Sequence, residues 1–250
     1  MKRLFAGIAF LTRVPVPGAA TFGAEDVGRA TLAFPLVGVF LAALLVAARH
    51  VLYPALPATV AAFLLLGLSA LLTGALHLDG LADMADGFGG GRTREDVLRI
   101  MRDHVIGAYG GVALLLLVGT KASALAALLE RGQADAALVV SMTLGRWATV
   151  PMGRLLPYAR RSGGLGTAIT DHVGWTEVVG ATAVALGVAL GLLGWRGAAM
   201  MGLVALVSAL QGAWCMKKIG GITGDTLGAN TETCETLGLV LLLALGPAWT

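Results

Sequence analysis

An all-α architecture, a polytopic integral membrane helical bundle of about seven transmembrane helices with its N-terminus in the cytoplasm, is predicted by three observations. Hydrophobic residues make up 57% of the 250-residue chain and charged residues only 13%, whereas charged residues are about a quarter of a soluble domain. Apolar runs recur, most of them near the ~20 residues that cross about 30 Å of hydrocarbon. Lysine and arginine concentrate in alternate connections, which is the pattern that sets membrane orientation. No soluble domain or linker interrupts this pattern, so residues 1–250 read as a single membrane-embedded domain.

Taken in order, the stretch from Lys2 to Val14 is short and basic and is followed by Pro15 and Pro17. It lacks the small-residue cleavage site of a signal peptide and reads as an interfacial helix. The apolar runs then cover 31–52, 55–76, 105–129, 135–152, 175–195, 197–216 and 236–250. The last is marginal, so six or eight spans are also compatible with the pattern. Among 36 glycines, the pairs Gly107 with Gly111 and Gly187 with Gly191 have the spacing at which small residues let helices approach in lipid. Cys215 lies in an apolar run and Cys234 in an expected polar loop; with no metal-ligand spacing and no disulfide logic, both are expected reduced and structural.

Sidedness follows from counting basic residues. Lys2, Arg3, Arg13, Arg29, Arg92, Arg94, Arg99, Arg102, Arg154, Arg160, Arg161, Lys217 and Lys218 fall on one side, against Arg49, Arg131 and Arg196 on the other. The crowded side is assigned to the cytoplasm, and the long polar connections 77–104, 153–174 and 217–235 all fall there. The net charge of +3 is explained by this bias, so a nucleic-acid partner is not expected.

The chemistry concentrates in two acidic stretches. In His77-Leu78-Asp79-Gly80-Leu81-Ala82-Asp83-Met84-Ala85-Asp86-Gly87, helical geometry places Asp83 about 40° and Asp86 about 20° from Asp79 around the axis. Three like charges on one face need a cation, and clustered carboxylates are the usual way to hold Mg²⁺. The second stretch, Gly220 to Glu235, supplies Asp225, Glu232 and Glu235 among glycines that let backbone approach a phosphate, Gly224 included. It lacks the Gly-Lys-Ser/Thr ending of a P-loop. Arg99 and Arg102 flank Asp103, and guanidinium forks suit phosphate oxygens. Arg160 extends the positive surface, and His77 borders the acids as a metal ligand, a phosphate donor or a hydrogen-bonded structural group. Lys121 and Arg146 fall inside apolar runs and should point into the bundle, because facing lipid costs a few kcal/mol (~2.5–3.5 on insertion scales). Carboxylates, arginines and glycines without an obvious nucleophile suit phosphoryl transfer.

These stretches resemble a known family. The acidic run 77–87, Arg99-Ile100-Met101-Arg102-Asp103 with Gly107 and Gly110, and Gly220-Gly221-Ile222-Thr223-Gly224-Asp225 with Gly228-Ala229 resemble adenosylcobinamide-GDP ribazoletransferases, or cobalamin synthases. Thr12-Arg13-Val14-Pro15-Val16-Pro17, Phe34-Pro35-Leu36-Val37-Gly38 and Leu156-Pro157-Tyr158-Ala159-Arg160 look like the same family, in its order. Met84 and His104 depart from its pattern. The resemblance implies a multi-pass inner-membrane enzyme, active at the cytoplasmic face, that uses Mg²⁺ to join adenosylcobinamide-GDP to α-ribazole or its 5′-phosphate and releases GMP. On that basis Asp79, Asp83, Asp86 and Asp225 are expected to hold metal. Arg99 and Arg102 are expected to neutralise the leaving group, and Asp103 or Asp86 to act as general base. His77, Arg146, Arg160, Gly224 and Glu232 are expected to contact substrate. The bilayer and the small-molecule substrates are the implied partners, and a homo-oligomer is left open. Two rivals remain: a CDP-alcohol phosphatidyltransferase-like enzyme, whose Asp-Gly, Ala-Arg pattern is not reproduced because Ala82 precedes Asp83, and a transporter with Lys121 and Arg146 along its pathway.

Overall fold

A computed structural model describes residues 1–160 and 166–245. Twelve α-helices follow one another among the described residues. The first four are α1 (Lys2–Leu11), α2 (Ala24–Ala30), α3 (Phe34–Leu52) and α4 (Ala58–Thr73). Next come α5 (Leu76–Gly90), α6 (Arg94–Ile100), α7 (Ala108–Glu130) and α8 (Ala134–Leu155). The last are α9 (Thr167–His172), α10 (Trp175–Leu193), α11 (Trp195–Ile219) and α12 (Gly224–Leu245).

Two helices form the interior. α8 is buried along almost its whole length and packs on α3, α10, α11 and α12, while α12 packs on α5, α7, α8 and α11. The apolar helices around them turn Leu115, Leu116, Val179, Leu203, Leu206 and Leu210 outward, as lipid-facing surfaces do. α10 has 19 residues, about 28 Å at 1.5 Å per residue, which matches the hydrocarbon thickness. Exposed Trp175 and Trp195 bracket it, each with an arginine against its ring, Arg154 at 5.2 Å and Arg196 at 5.8 Å. Aromatic and cationic groups at both ends of one apolar helix mark the two interfaces of a bilayer.

Seven spans are not reached by length and composition. Four stretches qualify among the described residues, Ala24–Leu52, Ala108–Glu130, Trp175–Leu193 and Trp195–Ile219, and the pair α4 and α5 makes a fifth if counted as one broken span. The expected run 135–152 and residues 236–245 of the last run belong to α8 and α12, whose mid-helix charges Arg146, Glu232 and Glu235 are buried among the surrounding helices, so neither reads as a plain apolar span. Arg161 and residues 246–250 lie outside the described residues.

Two expected loops are helical as well. Residues 77–104 contain all but the first residue of α5 and the whole of α6, and 217–235 contain the end of α11, a turn and the first half of α12. Cys234 is accordingly buried inside a helix, as is Cys215. The expected packing glycines are also corrected. Gly111, Gly187 and Gly191 face open space, and Gly107 meets the Asp86 carboxylate.

α4 ends at Gly74, which adopts φ 64°, and Ala75 follows with φ 57°. Two left-handed residues in succession turn the chain by 93° into α5. Ala75 is the only non-glycine among the described residues with positive φ, a conformation that costs about 1–2 kcal/mol for an L side chain. The elbow is tied from outside by the Arg13 amide, which donates to the Leu72 carbonyl at 2.6 Å, and the Arg13 side chain lies against Gly74.

Candidate active site

α5 and α12 cross at close range because glycines stand at the contact. A Cβ on Gly80 would lie 2.7 Å from the Asp225 carbonyl oxygen and 2.9 Å from its Cα, and one on Gly228 would lie 3.1 Å from the His77 Cα. That crossing brings the two acidic stretches, some 140 residues apart in sequence, into one place. Asp83 is half-buried there, and the charges acting on it most strongly are those of Asp225, Asp79, Arg160 and Asp86. Three like charges against one guanidinium leave a surplus of negative charge. Asp79 is the most exposed of the acids on α5, and Asp86 is buried.

The N-terminus of α12 fixes Asp225. Thr223 and Thr226 exchange side-chain and backbone hydrogen bonds, Thr223 N donating to Thr226 Oγ1 at 2.9 Å and Thr226 N to Thr223 Oγ1 at 3.3 Å. One side-chain oxygen of Asp225 accepts from Arg160 at 2.5 Å and from the Thr223 hydroxyl at 3.3 Å. Arg160 also donates to the Met101 carbonyl at 3.2 Å, so it ties α12 to the end of α6.

A backbone clamp holds Arg160 in place. Tyr158 and Ile222 form a parallel bridge, with Ala159 N donating to Ile222 O at 2.8 Å and Ile222 N to Pro157 O at 2.9 Å. Arg94 closes it, donating through Nε to Ile219 O at 2.8 Å and through Nη2 to Ala159 O at 2.6 Å. Arg94 is itself presented by α6, whose N-terminus Thr93 and Asp96 cap reciprocally. The hydrogen bonds from Thr93 hold the Asp96 carboxyl below the usual aspartate range. The Thr-x-x-Asp spacing was a readable cap in the sequence; the two carbonyls that Arg94 reaches were not.

Two cavities open beside the Arg160–Asp225 pair. One, of about 410 Å³, lies between α1, α3, α5, α8, α9 and α12 and is lined by Phe10, Phe34, His77, Asp79, Thr149, Tyr158, Arg160, Gly224, Asp225 and Thr231, among others. The second, of about 420 Å³, is lined by Arg94, Glu95, Leu98, Arg99, Arg102, Ala159 and Arg160. Within the first, His77 Nδ1 and the Tyr158 hydroxyl are buried without a hydrogen-bond partner among the described residues, as is Arg160 Nε beside it.

The structure therefore gathers His77, Asp79, Arg160, Gly224 and Asp225 around one cavity, with Asp83 close by, and places Arg99 and Arg102 in the neighbouring cleft. Asp86 has a different task. Its two oxygens accept from the amides of Gly107 at 2.7 Å and Gly110 at 2.8 Å, so it caps the first turn of α7, where no local side chain does so. Asp103 is exposed, accepts from the Val105 amide at 3.2 Å and lines neither cavity. Arg146 and Glu232 are not brought to the cavities' walls either. They join Lys121 and Glu235 in the bundle interior, where Lys121 bonds Glu232 at 2.8 Å and both Lys121 and Arg146 pair with Glu235. The basic residues that a transport route would have used are thus buried and ion-paired. Phe10 and Thr231 were not singled out from sequence, and Phe34 was named only as the first residue of the 34–38 resemblance, without a role. As isolated apolar or hydroxyl residues in membrane helices they carry no signal of their own.

Among the described residues, no three His, Cys, Asp or Glu side chains close tightly enough as placed to enclose an ion. The donor chemistry at Asp79, Asp83 and Asp225 still suits a hard divalent cation, since it offers carboxylate oxygens and unbalanced negative charge. Asp86, with both oxygens engaged by backbone amides, fits that set less well.

A family model described as Cobalamin-5-phosphate synthase matches residues 3–243. The chain belongs to that family. A Sinorhizobium medicae protein named adenosylcobinamide-GDP ribazoletransferase is 42% identical over 249 residues, covering 95% of each chain. A Pseudomonas aeruginosa protein of the same name is 41% identical over 248 residues, covering 97% of this chain and 98% of its own. One from Chlorobium phaeobacteroides is 39% identical over 242 residues, at 95% of each chain. No solved structure matches. The matched residues include all of α8, α12 as far as residue 243 and the lining of both cavities.

Proposed function

We propose that the chain is an adenosylcobinamide-GDP ribazoletransferase of a late step in cobalamin biosynthesis. It transfers the cobinamide phosphate of adenosylcobinamide-GDP to α-ribazole or its 5′-phosphate and releases GMP. The observation that carries the chemistry is the meeting of Asp79, Asp83 and Asp225 with Arg160 at the wall between two cavities. Asp83 and Asp225, with Asp79 beside them, would hold Mg²⁺, which when bound supplies charge neutralisation to the pyrophosphate. A ribazole hydroxyl attacks the phosphorus attached to cobinamide. The new oxygen–phosphorus bond forms as the bond to the bridging oxygen breaks, and that oxygen leaves with GMP. The hydroxyl proton passes to a carboxylate oxygen of Asp79, the acid most open to the cavity. Arg160, with Arg99 and Arg102 behind it, stabilises the charge that collects on the departing phosphate. The basic-residue bias supports an inner-membrane setting with this face in the cytoplasm.

The direct test supplies the purified protein in lipid with adenosylcobinamide-GDP, α-ribazole and Mg²⁺ and follows GMP. Release that stops on chelation is the expected result. A folded protein that releases no GMP, or that releases CMP from a CDP-alcohol instead, would overturn the assignment.

A further inference from the structure

Two cavities share one wall, and their chemistries differ. The wall is Arg160, which lines both and is held by Asp225 on one side and the Met101 carbonyl on the other. Toward α6 the cleft presents Arg94, Arg99 and Arg102 with Arg160. The acid on its lining is Glu95, beside Arg94 at 3.6 Å, and Asp96, next to the cleft, meets Arg99 at 3.6 Å. Arginine exceeds acid there, and Arg99 is 73% exposed. An open, guanidinium-rich cleft selects phosphate oxygens.

Toward α1 and α3 the other cavity is floored by Phe10, Phe34 and Leu227. It contains two buried polar atoms that have no hydrogen-bond partner among the described residues, His77 Nδ1 and the Tyr158 hydroxyl, and His77 is only 5% exposed. Buried polar atoms left unpaired are costly, and a ligand carrying ring nitrogens and hydroxyls satisfies them. The carboxylates at this cavity repel an anion that arrives without a cation. At about 410 Å³ it lies near the lower end of the ~300–1,000 Å³ range of small-molecule sites, a size for a nucleoside and not for a macrocycle.

The geometry points to a two-chamber site in which the arginine cleft of α6 receives the guanosine diphosphate end of one substrate and the aromatic-floored cavity receives the nucleoside acceptor. The two meet across Arg160 and Asp225. This rests on the transferase reading. In that arrangement the bulky remainder of the first substrate never enters either chamber.

Equilibrium binding to the full chain in nanodiscs, with GDP and α-ribazole as separate probes, tests the division. Each ligand binds with its Kd shifted less than about twofold by saturation with the other. Replacing both Arg99 and Arg102 by alanine weakens GDP about tenfold or more and leaves α-ribazole unchanged. Tyr158→Phe, which removes only the unpaired hydroxyl, and Phe10→Ala weaken α-ribazole and leave GDP unchanged. Mutual exclusion of the two ligands, or an unaltered GDP affinity in the double arginine variant, would overturn the two chambers. GMP release from the complete mixture reports separately: release with competing ligands sinks the chambers and keeps the reaction, while independent binding without release does the reverse.

Discussion

α12 carries two charged clusters about two turns apart, and they are built on opposite principles. Around Glu232 and Glu235 the charges balance, two carboxylates against Lys121 and Arg146, and all four side chains are buried. Around Asp225 they do not balance, since Asp79 and Asp83 add to its charge and, among the described residues, only Arg160 opposes it. The upper cluster opens on a cavity and the lower one has almost no free space, only about 20 Å³ beside Lys121 and Glu232. The lesson is that an ion cluster satisfied from within serves the scaffold, whereas one with surplus charge and adjoining space is waiting for something to bind.

Four substitutions can break or sharpen this contrast. Glu235→Gln should have the largest effect on folding, because it takes the paired carboxylate from buried Arg146 and one of two from Lys121; a loss of about 3–5 kcal/mol is expected, read by unfolding in detergent. Unchanged stability would place the lower cluster outside the scaffold. Asp83→Asn should do the opposite. Relieving like-charge repulsion leaves stability equal or higher, while turnover falls by about 10²–10³-fold. A variant that keeps full Mg²⁺-dependent GMP release would remove Asp83 from the site. Asp86→Ala should sit between the two, since its carboxylate caps α7, with a stability loss of about 1–2 kcal/mol by thermal melting. The smallest effect is a gain: Ala75→Gly should stabilise by about 1 kcal/mol as the left-handed backbone is relieved, and a lower melting temperature would contradict the strain at the elbow.

The acids of α5 were legible because 3.6-residue periodicity survives in any helix, and Asp79 and Asp83 did come to one site. Asp86 shares that periodicity, yet its partners are amides at Gly107 and Gly110, and spacing along one helix says nothing about what docks on it. The region 220–235 read as a loop because glycine, threonine and charge are loop chemistry in water. Inside this bundle the same residues satisfy a helix whose neighbours approach too closely for larger side chains, as Gly228 does against His77. Length and composition yield fewer spans than the apolar runs for a related reason. Hydropathy along the chain does not separate a lipid-facing helix from α8, which is encircled by other helices and hides Arg146 at 2% exposure. The pairing of Arg160 with Asp225 had no local signature at all, because it depends on the bridge between Tyr158 and Ile222.

The 93° elbow between α4 and α5 has a geometric corollary for the acids. Each residue added to or removed from α4 would shift the departure point of α5 by about 1.5 Å and swing its heading by about 100°. Asp79 and Asp83 would then sweep around the α4 axis like the hand of a dial and leave Asp225 behind. Only a change of roughly a whole helical turn brings the hand back near its mark, and even then about 5 Å further along the axis. The length of an outwardly featureless apolar helix therefore acts as a bearing as well as a span.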